Sequence, residues 1–226
     1  MKLCIKHIQI LICLEIFVIF VLMGYKNIRD NGNTVIMNPD YEVKRIALTF
    51  DDGPGEYTEK LIEGLKERNV KATFFMTGEN IELYKKLVKR VSEDGHLIGN
   101  HSYTHINLTA VPVKDALDEI NKTNELIKSI TGKMPEYIRP PYGAWNKYLE
   151  KEVDMIEVLW DIDPVDWNTN NTAKVTAHII SHAENDYIIL LHDIFESSVD
   201  SALKVTDILK KDGYEFVTVD EIFGIK

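Results

Sequence analysis

From residue 44 onward, short apolar runs alternate with amphipathic stretches. Runs rich in β-branched and aromatic residues recur at residues 45–50, 72–77, 97–99, 137–139, 156–160, 187–191 and 215–219. Apolar residues at helical spacing occupy the stretches between most of them, at residues 57–69, 81–91, 113–130, 173–183 and 199–211. This alternation predicts about seven parallel strands joined by helices, in a sheet that is either closed as an irregular barrel or open and doubly wound. Residues 143–154 fit neither pattern clearly.

The amino terminus has a different pattern. Residues 8–23 are almost wholly apolar, although Glu15 interrupts the run, and no small-residue cleavage site follows them. We therefore expect an N-terminal hydrophobic helix that acts as a signal-anchor or transmembrane segment over residues 1–26, with a cleaved signal peptide as the alternative. Polar and turn-forming residues at 27–43 predict a linker to a catalytic domain at residues 44–226.

Composition narrows the function classes that remain. The chain has 26 Lys and Arg residues against 36 Asp and Glu, a formal net charge of -10. Because nucleic-acid affinity depends on basic surfaces, this balance argues against a nucleic-acid partner. The two cysteines, Cys4 and Cys13, both lie in the first apolar segment, so the predicted domain has no thiol for catalysis or metal binding.

Ionisable residues follow five of the predicted strands: Asp51 and Asp52, His101 and His105, Arg139, Asp163 and Asp166, and His192. Parallel α/β folds build active sites at the carboxyl ends of their strands. We therefore expect these side chains to meet at one rim of the sheet.

Asp51 and Asp52 are adjacent at a strand end and precede a Gly-Pro turn. Two carboxylates so close repel each other unless a cation or a proton neutralises them. His101 and His105 have i,i+4 spacing, which on a helical turn places both imidazoles on one face within reach of a metal. One carboxylate would complete a set of three ligands and leave coordination positions open. Alone, each motif is better read as an ordinary turn or as two unrelated histidines.

The remaining strand ends carry further motifs. Arg139 is followed by two prolines, Tyr142 and Gly143, a rigid segment suited to holding a backbone N–H in place. Asp166 precedes the aromatic Trp167 and is our expected partner for His192, which would then act as an acid. A second i,i+4 pair, His178 and His182, lies on a predicted amphipathic helix, where a structural role is expected.

Together these segments resemble the polysaccharide deacetylase family, the NodB homology domain of carbohydrate esterase family 4. The five family motifs appear in order at residues 49–54, 101–105, 139–143, 163–167 and 190–192, and the resemblance covers residues 44–226. It implies a distorted (β/α) barrel. It also implies a divalent metal, usually zinc, held by Asp52, His101 and His105, and an acetyl-methyl pocket lined by Trp167 and Leu190.

The same resemblance implies roles for the other motif residues. Asp51 would be the general base, oriented by Arg139, and the backbone N–H of Tyr142 would help hold the oxyanion. His192 would be the general acid, tuned by Asp166. None of the positions departs from the family pattern.

We therefore expect a membrane-bound extracellular polysaccharide N-deacetylase, monomeric, whose substrate is N-acetylglucosamine in peptidoglycan. An O-acetyl esterase acting on xylan or a chitooligosaccharide deacetylase would use the same site. A glycosidase would need two carboxylates but no histidine pair. A non-catalytic cell-surface binding protein would bind glycan without turnover.

Overall fold

The computed structural model describes residues 43–224. The predicted N-terminal segment and residues 27–42 of the linker lie outside this range. Within residues 43–224, none of the helices combines the length and the hydropathy that a membrane crossing requires.

Within the described residues, seven parallel strands form the sheet. They are β1 (Lys44–Asp51), β2 (Thr73–Met76), β3 (Leu97–Asn100), β4 (Tyr137–Ile138), β5 (Ile156–Glu157), β6 (Tyr187–His192) and β7 (Tyr214–Val217). Each coincides with a predicted run, although β5 is shorter than expected.

Eight α-helices connect or follow these strands in the described range: α1 (Thr58–Glu67), α2 (Gly78–Leu83), α3 (Lys85–Glu93), α4 (Val113–Thr131), α5 (Lys147–Glu152), α6 (Thr172–His182), α7 (Glu196–Lys211) and α8 (Val219–Phe223). Two 3₁₀ turns, Pro141–Gly143 and Asp166–Asn168, lie in the connections after β4 and β5.

The strand order is β5-β4-β3-β2-β1-β6, and β7 pairs with the amino half of β1. The segment after β5 returns to the other edge, where Ile162 pairs with Ile189 of β6. The Asp161 carboxylate accepts the backbone N–H of Ile188 at 2.8 Å in the same place. These contacts curl the sheet into the distorted (β/α) barrel that the motif resemblance implied, rather than an open doubly wound sheet.

Successive side chains of β1 alternate between the main core and the interior of the barrel. Ile46, Leu48 and Phe50 face the main core, which is shared with the surrounding helices. Ala47, between them, packs instead with Phe75 and other residues of the barrel interior. Because side chains alternate along a strand, Thr49 and Asp51 share the interior side with Ala47. The fold thus places a carboxylate at the inner rim of the barrel.

One predicted helix was wrong in its extent. Residues 81–91 form parts of two helices, because the backbone of Tyr84 (φ -119°, ψ 35°) interrupts the helical geometry between α2 and α3. The spacing placed Leu83 on the same side as Leu87 and Val91, yet Leu83 is 75% exposed while Val91 is fully buried. The break turns the end of α2 away from the face that α3 buries.

Two short helices lacked a clear hydrophobic pattern. In α5, within the unassigned residues 143–154, the Asn146 side chain caps the helix by accepting the N–H groups of Tyr148 and Leu149. Val219, predicted as the last residue of a strand, begins α8 instead. Thr218 and Glu221 form a reciprocal capping box there.

Candidate active site

The carboxyl ends of the strands bring the predicted residues to one rim. Asp51 and His192 are directly paired in the register of β1 and β6. His101 follows β3, and Arg139 follows β4, whose Ile138 pairs with Asn100. The convergence expected from strand ends in the sequence is therefore present.

Asp52, His101 and His105 form a cluster whose ligand-type atoms all lie within 4.8 Å of one another. The Nε2 atoms of His101 and His105 lie 3.4 Å and 3.2 Å from the same oxygen, Asp52 Oδ1. Two donor atoms held about 2.1 Å from one ion at the tetrahedral angle are about 3.4 Å apart. The spacing fits three ligands of a single divalent ion.

The hydrogen bonds and burial of these side chains favour a cation between them. His101 Nδ1 lies 2.6 Å from the carbonyl oxygen of Arg139, which can only accept, so Nδ1 carries the proton. In the neutral ring, Nε2 then presents a lone pair towards Asp52. Asp52 Oδ1 is buried without a hydrogen-bond partner among the described residues. Burial would raise the pKa of Asp52, but His101, His105 and His192 together lower it, so the carboxylate is ionised.

The histidine pair does not lie on a helical turn, contrary to the sequence expectation. Residues 101–107 contain no helix, and Ser102 and His105 have φ values of 60° and 59°. Asp52, Tyr142 and Val165 also have positive φ, so five of the seven described non-glycine residues with positive φ lie in segments that carry site residues. Such backbone strain is concentrated where the surrounding structure holds functional groups in place.

Asp51 is fixed by a buried guanidinium. Nη1 of Arg139 donates to Asp51 Oδ1 at 2.8 Å and to Thr49 Oγ1 at 2.7 Å. The other guanidinium nitrogens donate to the carbonyls of Val158 and Leu159. Arg139 is fully buried, and this burial lowers its pKa while the Asp51 carboxylate opposes the shift. Asp51 Oδ2 remains on the histidine side, 3.8 Å from His101 Nε2.

His192 is held by Asp166 through two contacts. The His192 Nδ1 lies 2.8 Å from Asp166 Oδ1, and the His192 backbone N–H donates to Asp166 Oδ2 at 2.8 Å. Burial alone would lower the pKa of His192. The hydrogen bond and charge of Asp166, with Asp51 and Asp52, outweigh burial and raise that pKa to about 9. The raised pKa favours the protonated imidazole, which can donate a proton.

The remaining predicted residues differ in their exposure to solvent and in the groups that they contact. Tyr142 is 69% exposed, and its ring meets the His105 ring edge-on at 4.9 Å between centroids. Trp167 is 56% exposed beside Asp166, whereas Leu190 is buried in β6. Asp163 instead accepts the N–H of Val165 in a local turn.

Several residues of the site were missed by sequence reasoning. Thr49 supports Arg139, and Asn80 donates its side-chain N–H to the Asp52 carbonyl at 2.7 Å. The fully buried Asp193 accepts from Thr58 Oγ1 at 2.5 Å, and Thr58 accepts the N–H of Gly55. Burial chiefly raises the pKa of Asp193 to about 7. A polar residue inside an apolar strand is a sequence signal for Thr49; the others depend on tertiary contacts.

The second histidine pair lies elsewhere. His178 and His182 stack on α6 with ring centroids 4.3 Å apart, and His182 Nδ1 donates to the His178 carbonyl. The metal-type cluster among residues 43–224 does not include them.

A cluster that could hold a metal, with a second carboxylate beside it and a histidine of raised pKa at the same rim, suits metal-assisted hydrolysis on a β/α barrel. The chain belongs to the polysaccharide deacetylase family, whose model, described as polysaccharide deacetylase, matches residues 38–158.

Individual relatives agree with this family. The peptidoglycan-N-acetylglucosamine deacetylase PgdA of Listeria monocytogenes is 41% identical over 184 residues, which cover 81% of this chain and 40% of the relative. The peptidoglycan-N-acetylmuramic acid deacetylase PdaC of Bacillus subtilis is 38% identical over 188 residues, which cover 83% of this chain and 40% of that protein. The chain thus spans about 40% of the length of these relatives. The solved structure of peptidoglycan deacetylase PdaC from Bacillus subtilis is similar, with a TM-score of 0.80 at 38% identity over 81% of this chain and 92% of that one.

Proposed function

We propose that this chain is a metal-dependent N-deacetylase that hydrolyses the acetamide of N-acetylglucosamine residues in peptidoglycan. The observation that carries the proposal is Asp52 Oδ1, which is buried without a hydrogen-bond partner within residues 43–224 and lies close to two imidazole nitrogens and a second carboxylate. The names of the relatives support the choice of substrate.

We assign zinc as the ion, because two imidazoles and one carboxylate are typical ligands of catalytic zinc. Asp52, His101 and His105 would hold it. A bound divalent ion polarises a carbonyl and lowers the pKa of water towards 7.

Asp51 accepts the proton of the attacking water. Arg139 occupies Asp51 Oδ1 and leaves Oδ2 on the side of the histidines, where the water must lie. His192 donates a proton to the nitrogen as the C–N bond breaks, so the products are acetate and a free amine. The Tyr142 backbone N–H donates to the negative charge that develops on the oxygen of the acetyl carbonyl group when water attacks its carbon.

The acetyl methyl group would lie against Trp167 and Leu190. Leu190 shares the interior face of β6 with His192, two residues further along the strand. The exposed Trp167 ring is available to a glycan above the rim.

An acetate-release assay on defined substrates tests the proposal. The full chain would be incubated with peptidoglycan, chitooligosaccharides and acetylated xylan, each with a chelator and then with added zinc. We expect acetate from peptidoglycan, loss of the activity on chelation, and recovery on addition of zinc. Amino-sugar analysis of the product would show glucosamine.

The alternative outcomes are distinct. Release from acetylated xylan alone would identify an O-acetyl esterase, and release from chitooligosaccharides alone would identify a chitooligosaccharide deacetylase. Muramic acid in the product would assign the other amino sugar. Asp51→Asn serves as the matched control, since it keeps the shape of the side chain and removes the base; release at the wild-type rate would contradict the assigned role.

The location of the enzyme is a separate proposal. We place the catalytic domain outside the cell and tethered to the membrane, on the basis of the apolar run at residues 8–23. Protease added to intact cells should then remove the domain while a fragment stays with the membrane fraction. Recovery from the medium of a chain that lacks residues 8–23 would instead indicate cleavage of a signal peptide.

A further inference from the structure

A carboxylate from α4 holds the loop that carries both histidines. Glu119 Oε2 accepts the backbone N–H of Tyr103 at 3.0 Å and of Thr104 at 2.7 Å. The Thr104 hydroxyl donates to Glu119 as well, at 3.1 Å and 3.0 Å from its two oxygens. One half-buried side chain thus accepts from three donors between His101 and His105.

The loop needs such support because its backbone is not helical. Ser102 and His105 adopt left-handed conformations, which cost free energy unless the surroundings hold them. The carbonyl oxygens of Ser102 and Tyr103 accept N–H groups of Gly78 and Glu79 at the start of α2. Glu119 holds the N–H groups of the same loop from the other side.

The two histidines are held differently. The ring of His101 donates to the Arg139 carbonyl, a contact of the kind that orients metal-binding imidazoles. Within residues 43–224, the hydrogen bonds include none to the His105 ring, whose neighbours are Asp52, His101 and the edge of Tyr142. The position of the His105 ring therefore depends on the backbone that precedes it, and Glu119 fixes that backbone.

We propose that Glu119 is a positioning residue that sets the metal affinity of the site by fixing the backbone between the two histidines. The inference rests on the metal site of the proposed function. Glu119 acts through its hydrogen bonds to the loop and not through its charge.

Two substitutions separate these two effects. Glu119→Gln removes the charge but keeps an oxygen that accepts both N–H groups. Glu119→Asp keeps the charge, but it is one methylene shorter and cannot reach both groups. Asp118→Ala is the matched control, because Asp118 is the adjacent carboxylate on the same helix and pairs only with the exposed Lys114 in its described contacts.

The dissociation constant for zinc, measured by competition with a chromophoric chelator on the metal-free full chain, is the first readout. Loss of a side chain that orients a metal ligand weakens metal binding about 10- to 100-fold. We expect a loss in that range for Glu119→Asp, and values within about threefold of wild type for Glu119→Gln and Asp118→Ala.

Hydrogen exchange of the Tyr103 and Thr104 amides in the metal-free protein is the second readout. These amides should exchange faster in Glu119→Asp than in wild type or Glu119→Gln, with the unfolding temperature unchanged. A merely structural role would lower the unfolding temperature and leave the zinc dissociation constant of the folded chain unaltered.

The outcomes distinguish the inference from the function. Wild-type zinc affinity in Glu119→Asp, or equal losses in Glu119→Asp and Glu119→Gln, would overturn the positioning role while the proposed function stands. Absence of zinc binding by the wild-type chain would overturn both.

Discussion

His192 illustrates how one contact sets the chemistry of a residue. Burial disfavours a charged imidazole, yet Asp166, with smaller contributions from Asp51 and Asp52, reverses the effect and raises the pKa of His192 to about 9. In the proposed role of general acid, His192 must be protonated, so acetate release should be lost as pH rises through this pKa. The wild-type enzyme should therefore keep its activity across neutral pH.

Asp166→Asn should move the basic limb of the pH profile to lower pH. The substitution keeps the shape of the side chain but removes the charge that favours the protonated imidazole, so the pKa of His192 falls by at least about one unit. The measurement is kcat/KM for acetate release against pH, which reports the free enzyme.

Asp163→Asn is the control for this experiment. Asp163 lies three positions earlier in the same segment and contacts the backbone of Val165, not His192. Its profile should match that of wild type. A basic limb in Asp166→Asn at the wild-type pH would mean that another group is titrating.

At the scale of elements, α2 packs closely against the loop of residues 101–105, which carries both histidines, and leaves no room for a side chain at Gly78. A Cβ atom there would lie 2.0 Å from Cδ2 of Tyr103 and 2.8 Å from the Thr123 hydroxyl on α4. A glycine is therefore required where α2, α4 and the loop of residues 101–105 approach one another. Because Tyr103 lies between the two histidines of that loop, a side chain at position 78 would affect them as well.

Gly78→Ala should therefore displace the loop and weaken metal binding. Overpacking of this kind typically costs about 1–3 kcal/mol of unfolding free energy. We expect that loss in urea unfolding of the metal-free chain, together with at least about a tenfold rise in the zinc dissociation constant.

Gly132→Ala provides a substitution that perturbs backbone conformation away from the site. Gly132 ends α4 at φ 77° with open space around it, so alanine there costs about 1 kcal/mol through conformation alone. It should lose stability and keep wild-type zinc affinity. Equal zinc affinities in the two variants would contradict the packing argument.

Helices and strands with a clear spacing of apolar residues were predictable from the sequence, and those with a weak or interrupted pattern were not. The strands β1 and β6 and the long helix α4 have strong patterns and appear close to their predicted limits. The break at Tyr84 carries no proline or glycine, so it depends on packing that the sequence does not display. The helix α8 was missed, although Thr218 and Glu221 have the spacing of a capping box.

For the whole molecule, the sequence left barrel and open sheet as alternatives until the motif resemblance favoured a barrel. Closure depends on a short backbone pairing between the segment after β5 and β6, in which Ile162 pairs with Ile189, and on the Asp161 side chain, which accepts the N–H of Ile188. No periodicity marks this contact, because the paired segment is too short to show one. The meeting of ligands at one rim was predictable, since it follows from parallel strands alone.

The conformation of the ligands was harder to predict. The i,i+4 spacing of His101 and His105 led to a helical turn, whereas the loop uses two left-handed residues to aim both rings at Asp52. Glu119 and Gly78 contact this loop but lie outside the motif in sequence. The roles of the site residues in catalysis stay predictions.

The different roles proposed for Asp51, as the base, and Asp52, as a metal ligand, are tested by the zinc content of two variants. Bound zinc per chain, measured after equilibrium dialysis, should be about one equivalent in Asp51→Asn, because Arg139 holds Asp51 and the proposed role of Asp51 is that of the base. In Asp52→Asn the zinc should be largely lost at the same free concentration. Retention of zinc by Asp52→Asn together with its loss from Asp51→Asn would contradict the assignment of ligand and base.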